Sequence, residues 1–261
     1  MKRTLITGEP PLFPEELKAL IQGCDIYDSS CSPEARVYYI EKDGGYYLKT
    51  APKGTLETET KMADYFFKKG LTAPMLSYIS TDRDWMLTER VQGEDCTYST
   101  YLEDPKRLVD TIATQLRALH ETDYTDCPIP NRTENYLATA DKNYRAELFD
   151  THLFTEDYSF PTAASAWDYL QKNKHYLKTD TLLHGDYCLP NIMLDNWKFS
   201  GFIDVGNGGV GDRHIDIFWG TWTLWFNLKT NEFKDRFFDA YGRDKLEPEL
   251  LRLISAAEVF G

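Results

Sequence analysis

Nothing in the chain approaches the roughly 20 uninterrupted apolar residues that span a bilayer, and the opening MKRTLITGEPPLFPEE lacks the apolar segment of a signal peptide. A cytoplasmic protein is therefore expected. The five cysteines (Cys24, Cys31, Cys96, Cys127, Cys188) are odd in number, widely scattered and never fall in a Cys-x-x-Cys pair, so neither a disulfide framework nor a zinc site is indicated and reduced thiols are expected. Internal repeats, low-complexity tracts and long linkers are missing too. Positive charge is the scarcer sign: 29 Lys and Arg face 42 Asp and Glu, a formal charge of −13. Repulsion disfavours nucleic acid and anionic membrane as partners, whereas a cationic small molecule would be attracted.

With 261 residues, 42% of them hydrophobic, the chain can bury a sizeable core in one large domain or two small ones. Residues 36–50, RVYYIEKDGGYYLKT, form two aromatic and β-branched runs around Asp43-Gly44-Gly45, a hairpin pattern in which glycine supplies the positive φ of a tight turn. LETETKMADYFFKKG then sets Leu56, Met62, Ala63 and Phe66 at helical spacing with Gly70 as the stop, and SYISTDRDWMLTERV reads as two more strands. From Asp104-Pro105 onward helical segments take over, with Leu108, Ile112, Leu116 and Leu119 along one face and further helices expected at 163–176, 213–229, 231–241 and 247–260. The expected fold is α+β and two-lobed: residues 1–92 a small antiparallel sheet with one helix, residues 93–261 a larger, mainly helical lobe, and Glu89 to Gly93 the hinge.

Between two of those helices lies LLHGDYCLPNIMLDNWKFSGFIDVGN, residues 182–207. Gly185 and Pro190 break any continuous helix, so His184 to Asn191 is expected to be an ordered loop. The IMLD and FSGFID runs around Asn196-Trp197-Lys198 read as a short hairpin that would return Asp204 toward Asp186 and Asn191. Carboxylate and amide oxygens gathered in this way suit Mg²⁺, which takes oxygen ligands and shares them with waters and substrate phosphates. Taken singly, each of these side chains is equally well explained as a loop residue bonding its own backbone.

Together, Asp186, Asn191 and Asp204-Val205-Gly206, with the strand lysine Lys49 and a helix glutamate at Glu57 or Glu59, resemble the protein-kinase catalytic set. An ordinary protein kinase is excluded because no Gly-x-Gly-x-x-Gly precedes the lysine strand; Ser29-Ser30-Cys31-Ser32-Pro33 stands there instead. The loop also reads His-Gly-Asp, and no Ala-Pro-Glu follows the Asp-Val-Gly. This combination resembles the aminoglycoside phosphotransferase family, most of all the aminoglycoside 3′-phosphotransferases, over nearly the whole chain.

The resemblance implies a kinase-like fold and transfer of the γ-phosphate of ATP or GTP, with Mg²⁺, to a hydroxyl (3′ by the nearest likeness) of a kanamycin- or neomycin-type aminoglycoside, giving antibiotic resistance. It implies that Asp186 is the base, that Asn191 and Asp204 hold the metal, and that Lys49 bridges phosphates with Glu59 as its partner. Tyr47 would stack on the base, the Glu89-Arg90 backbone would bond its edge, and Ser32 would reach the phosphates. His184 would brace the loop, and Asp216 would hydrogen-bond the loop backbone. Glu156, Asp157, Glu258 and Phe260 would contact the acceptor, where hydrogen-bonded ion pairs to a polycation are strong. Alternatives are a kinase for choline, a sugar or a macrolide, and a nucleotide-binding module without catalysis. The chain departs from the family where relatives usually have Gly-Arg and here stands Gly206-Asn207, at Ala257-Glu258 in place of Asp-Glu, and at the extra Gly261.

Overall fold

The computed structural model describes residues 3–7, 12–31, 35–150 and 158–261. The chain divides into two compact units, Met1–Asp95 with Met193–Gly206, and Cys96–Ile192 with Asn207–Gly261. This differs from a single boundary near residue 92, because a stretch from late in the chain packs with the first unit.

The first unit is built on β1 (Thr4–Leu5), α1 (Glu15–Ile21), β2 (Asp25–Asp28), β3 (Arg36–Glu41), β4 (Tyr46–Pro52), α2 (Glu57–Lys68), β5 (Met75–Ser80), β6 (Arg83–Glu89) and β7 (Glu94–Asp95). Antiparallel pairing gives the order β1-β2-β3-β4-β6-β5. The 36–50 hairpin forms as its pattern predicts, with Tyr39 opposite Tyr47 and Val37 opposite Lys49. Because successive strand side chains point to opposite faces, Tyr38, Ile40 and Leu48 enter a core with Leu87, Trp85, Phe13 and Leu17. Tyr39, Tyr47 and Lys49 are thereby left on the other face. Helix α1 adds to the single helix expected here; it is only seven residues long, and its apolar stripe of Leu17, Leu20 and Ile21, which packs on the same core, is too short to stand out as a helical period in the sequence.

Helix α2 buries Glu59, Met62, Ala63 and Phe66, which recur at i, i+3, i+4 and i+7 and so share one face. It stops where Gly70 takes a φ of 71°: the Leu71 and Gly70 amides reach back to the carbonyls of Phe66 and Phe67, each at 2.9 Å. That pair of bonds requires a left-handed residue at position 70.

The second unit begins with α3 (Ser99–Leu102), α4 (Pro105–His120), α5 (Arg132–Arg145), α6 (Ala163–Asn173) and β8 (Thr181–Leu183). The expected hairpin follows as β9 (Ile192–Asp195) and β10 (Lys198–Phe202), which join β7 in a three-stranded sheet of the first unit. The chain then returns through β11 (Gly209–Gly211), antiparallel to β8, to α7 (His214–Leu228), α8 (Lys234–Tyr241) and α9 (Pro248–Glu258). Asp104 caps α4 as its sequence signal predicts, accepting from the Arg107 amide with Pro105 at the first helical position. Helix α4 packs on α7 and α8, and α9 on α5, α6 and α7. No described helix is long and apolar enough to cross a membrane.

Candidate active site

In the first unit, Lys49 lies in the interior of β4, two residues beyond Tyr47 on the same face. Its Nζ donates to Glu59 Oε2 at 2.7 Å and to Asp204 Oδ1 at 2.7 Å. Glu57 makes a different pair, with Lys61 one helical turn on at 2.7 Å, so the choice between the two glutamates falls on Glu59. The reason is the helix period: Glu59 shares the inward face of α2, and Glu57 does not. Burial alone would push the Lys49 ammonium down, but the carboxylates of Glu59 and Asp204 outweigh it and raise its pKa, keeping the cation charged. Asp204 has a φ of 56°, a left-handed conformation uncommon for aspartate and of the kind that accumulates at functional sites.

Tyr47 is half-buried beside Tyr39, with ring centroids 5.3 Å apart. Its hydroxyl accepts from Arg3 Nη2 at 2.8 Å, and the Arg3 guanidinium lies 3.6 Å from the Tyr39 ring centroid. The amides of Glu89 and Arg90 are engaged, bonding the carbonyls of Pro74 and Gly45, both at 3.0 Å. Any contact with a base edge there falls to carbonyl oxygens.

In the second unit, residues 184–191 form the ordered loop expected. Asp216, fully buried in the first turn of α7, accepts from the His184 amide at 2.8 Å and the Gly185 amide at 2.7 Å. His120 approaches the same carboxylate, Nε2 to Oδ2 at 3.2 Å, and its Nδ1 lies 2.8 Å from the Tyr241 hydroxyl. His184 is buried, its Nδ1 accepting from the Asp186 amide at 3.2 Å. Gly185 has a φ of 83°, and a Cβ there would lie 1.8 Å from the Asn207 carbonyl oxygen, so no other residue fits.

The loop brings Asp186 and Asn191 together. The Asn191 amide nitrogen donates to the Asp186 carbonyl at 3.0 Å and to its Oδ2 at 2.9 Å. This bond fixes the carboxylate's rotamer and commits the nitrogen end of the Asn191 amide, leaving its oxygen end for another ligand.

Glu258, near the end of α9, is buried and accepts at Oε1 from the Tyr136 hydroxyl at 2.8 Å and from Trp219 Nε1 at 2.9 Å. Burial pushes its carboxyl up to about 7 against the lowering effect of those two donors and of Arg132. Phe260 packs as core among Tyr144, Trp167 and Phe149, and its carbonyl accepts from Asn143 Nδ2 at 2.7 Å. Ser32, Glu156 and Asp157 lie outside the described residues.

Several residues here escaped the sequence motifs. Tyr136 and Arg132 belong to α5, a helix whose buried residues are only Thr133, Tyr136 and Ala140. Arg3 and His120 stand alone in sequence, with no spacing to tie them to the motifs they serve. The departure at Asn207 has a structural counterpart: its Oδ1 accepts from Arg132 Nη2 at 3.2 Å.

Comparison with known proteins agrees with these features. The sequence model of the phosphotransferase enzyme family matches residues 33–253. A protein of Lactococcus lactis subsp. lactis named probable aminoglycoside 3′-phosphotransferase is 51% identical over 251 residues, 95% of each chain. Among solved structures, a crystal structure of an aminoglycoside 3′-phosphotransferase of type VIII superposes with a TM-score of 0.80 over 94% of this chain and 97% of its own, at 22% identity. An aminoglycoside phosphotransferase of Streptomyces rimosus, solved with ADP and streptomycin, gives a TM-score of 0.70 over 87% of this chain and 91% of its own, at 22% identity. At such identities the two structures speak for the fold, and the family match and the close relative for descent: the chain belongs to the phosphotransferase enzyme family, in its aminoglycoside phosphotransferase branch.

Proposed function

We propose that this chain is an aminoglycoside O-phosphotransferase that moves the γ-phosphate of ATP or GTP to a hydroxyl, the 3′-hydroxyl by its likeness to relatives, of a kanamycin- or neomycin-type drug in the cytoplasm, giving resistance. The observation that carries the reading is Lys49 held between Glu59 and Asp204, each at 2.7 Å. A charged lysine fixed by a helix glutamate presents a cation to nucleotide phosphates, and Tyr47 on the same strand face offers a ring to the base. The carbonyls at Glu89 and Arg90 serve the base edge, and Ser32 the phosphates.

In the second unit, Asp186 takes the hydroxyl's proton. The acceptor oxygen bonds to the terminal phosphorus while the bond from that phosphorus to the bridging oxygen breaks, and the nucleoside diphosphate leaves with the bonding pair. Asn191 holds the carboxylate in one rotamer, and Asp216 holds the loop that carries it. Each unit offers a donor of the kind Mg²⁺ combines with waters and phosphate oxygens, the oxygen end of the Asn191 amide in the second and the Asp204 carboxylate in the first, and each is a hard oxygen ligand. When bound, the ion neutralises phosphate charge. Glu258 receives an ammonium of the acceptor, with Phe260 as a further contact and Glu156 and Asp157 adding carboxylates.

The test is nucleotide turnover by the purified chain with Mg²⁺ and a panel of aminoglycosides, choline, sugars and macrolides. Drug-dependent turnover is expected, falling by about 10²- to 10⁴-fold in Asp186→Asn. Turnover only with choline, a sugar or a macrolide would overturn the aminoglycoside reading, and wild-type rates in Asp186→Asn would overturn the assignment of the base.

A further inference from the structure

Arg132, the first residue of α5, carries the one buried side-chain polar atom without a hydrogen-bond partner among the described residues. Its Nε is closed off from solvent and has no acceptor, and its one hydrogen bond is the neutral one from Nη2 to Asn207 Oδ1 at 3.2 Å. Among the described residues the half-buried guanidinium forms no ion pair, although the chain carries 42 carboxylates against 29 Lys and Arg and the charges of Glu258 and Asp216 act on it from beyond ion-pair distance. An arginine deprived of water normally recovers the loss by pairing with an anion, and a buried polar atom left unmatched calls for an explanation. The root of the side chain lies against β11: a Cβ at Gly209 or Gly211 would come 3.0 or 3.4 Å from Arg132 Cβ.

The position of the guanidinium matters as much as its lack of an anionic partner among the described residues. Asn207, which holds it, packs its own backbone against Gly185, and Gly185 precedes Asp186 in the loop. The guanidinium is therefore held by the residue that abuts the Asp186 loop.

We propose that Arg132 is an anion-binding residue, whose guanidinium donates to the non-bridging oxygens of the phosphoryl group as that group passes to the hydroxyl held by Asp186. This rests on the reading of Asp186 as the base. A guanidinium suits the task because its planar fork matches two phosphate oxygens at once. Arg132 changes no bonds of its own; it balances charge on the group in transit and on the phosphorylated product. Asn207 aims it, and is a positioning residue.

The full chain tests this through Arg132→Gln, Arg132→Lys and Asn207→Ala. Arg132→Gln is expected to lower kcat about a hundredfold, the usual cost of one transition-state donor, with the nucleotide KM changed less than about threefold. Asn207→Ala keeps the guanidinium and should lose less than about tenfold. Inorganic phosphate, titrated calorimetrically, should bind the wild type and bind Arg132→Gln at least about tenfold more weakly. If Arg132→Gln does not fold, Arg132→Lys carries the same titration, with weaker phosphate binding expected because a point charge replaces the fork. Phosphate affinity independent of residue 132, no phosphate binding by the wild type, or equal losses of kcat in Arg132→Gln and Asn207→Ala would each overturn the proposal. The phosphate titration needs no acceptor, so a wild type that turned over no aminoglycoside would sink the substrate assignment and leave Arg132 still to be decided.

Discussion

At the scale of single residues, Glu258 links the fold to pH. Its carboxyl is raised from an ordinary 4.5 to about 7 by burial. A group whose folded pKa is raised favours the folded state fully below its unfolded pKa, and that advantage is lost as pH climbs toward the folded value. The window is therefore about pH 4.5 to 7, and a shift of that size corresponds to roughly 3 kcal/mol at most. Glu258→Gln keeps an oxygen for Tyr136 and Trp219 without the titration. Urea unfolding at pH 5 and pH 8 should show the wild type losing about 2–3 kcal/mol relative to Glu258→Gln across that interval; a constant gap between the two proteins would refute the assignment. An acceptor ammonium arriving at Glu258 would favour the ionised carboxylate, so acceptor binding should release a proton near neutral pH.

At the scale of elements, α4 shows how local chemistry defines a boundary. Asp104 accepts from the Arg107 amide, and Pro105 follows it with no amide to satisfy. Asp104→Ala should cost about 1 kcal/mol of stability, measured by urea unfolding, with turnover unchanged; a loss of turnover at equal stability would mean the cap serves the site as well. The same physics explains what the sequence made legible. Elements with a strong period or explicit turn chemistry, such as the 36–50 hairpin, α2, α4 and the 184–191 loop, could be read directly. Lys49, Asp186, Asn191 and Asp216 were singled out through the motifs in which the chain resembles the kinase family, and the structure places Lys49 on β4, Asp186 and Asn191 in the 184–191 loop and Asp216 in α7. Helix α5 was hidden because Thr133, Tyr136 and Ala140 make a thin, half-polar stripe. With it went Arg132 and Tyr136, whose importance comes from partners 75 and 122 residues away along the chain.

At the scale of the whole molecule, the formal charge of −13 gives a polycationic acceptor a long-range attraction that salt screens. Raising sodium chloride from about 50 to 500 mM shortens the screening length severalfold, and the acceptor KM should rise with it while kcat holds. Initial-rate measurements across that range check this, and a flat profile would confine the recognition to short-range contacts.

The path of the chain between its two units carries one more consequence. It passes from one to the other after Asp95, after Ile192 and after Gly206, so the segment bearing Asp204 belongs to a unit whose other residues end about a hundred positions earlier. Any single genetic crossover between relatives within residues 96–206 would join a lysine and glutamate from one parent to an Asp204 segment from the other, wholly or in part. Chimeras that exchange the first unit alone should therefore need three junctions, after residues 95, 192 and 206, so that residues 193–206 move together with residues 1–95, and the nucleotide half of such an enzyme is not a module that one recombination event can exchange.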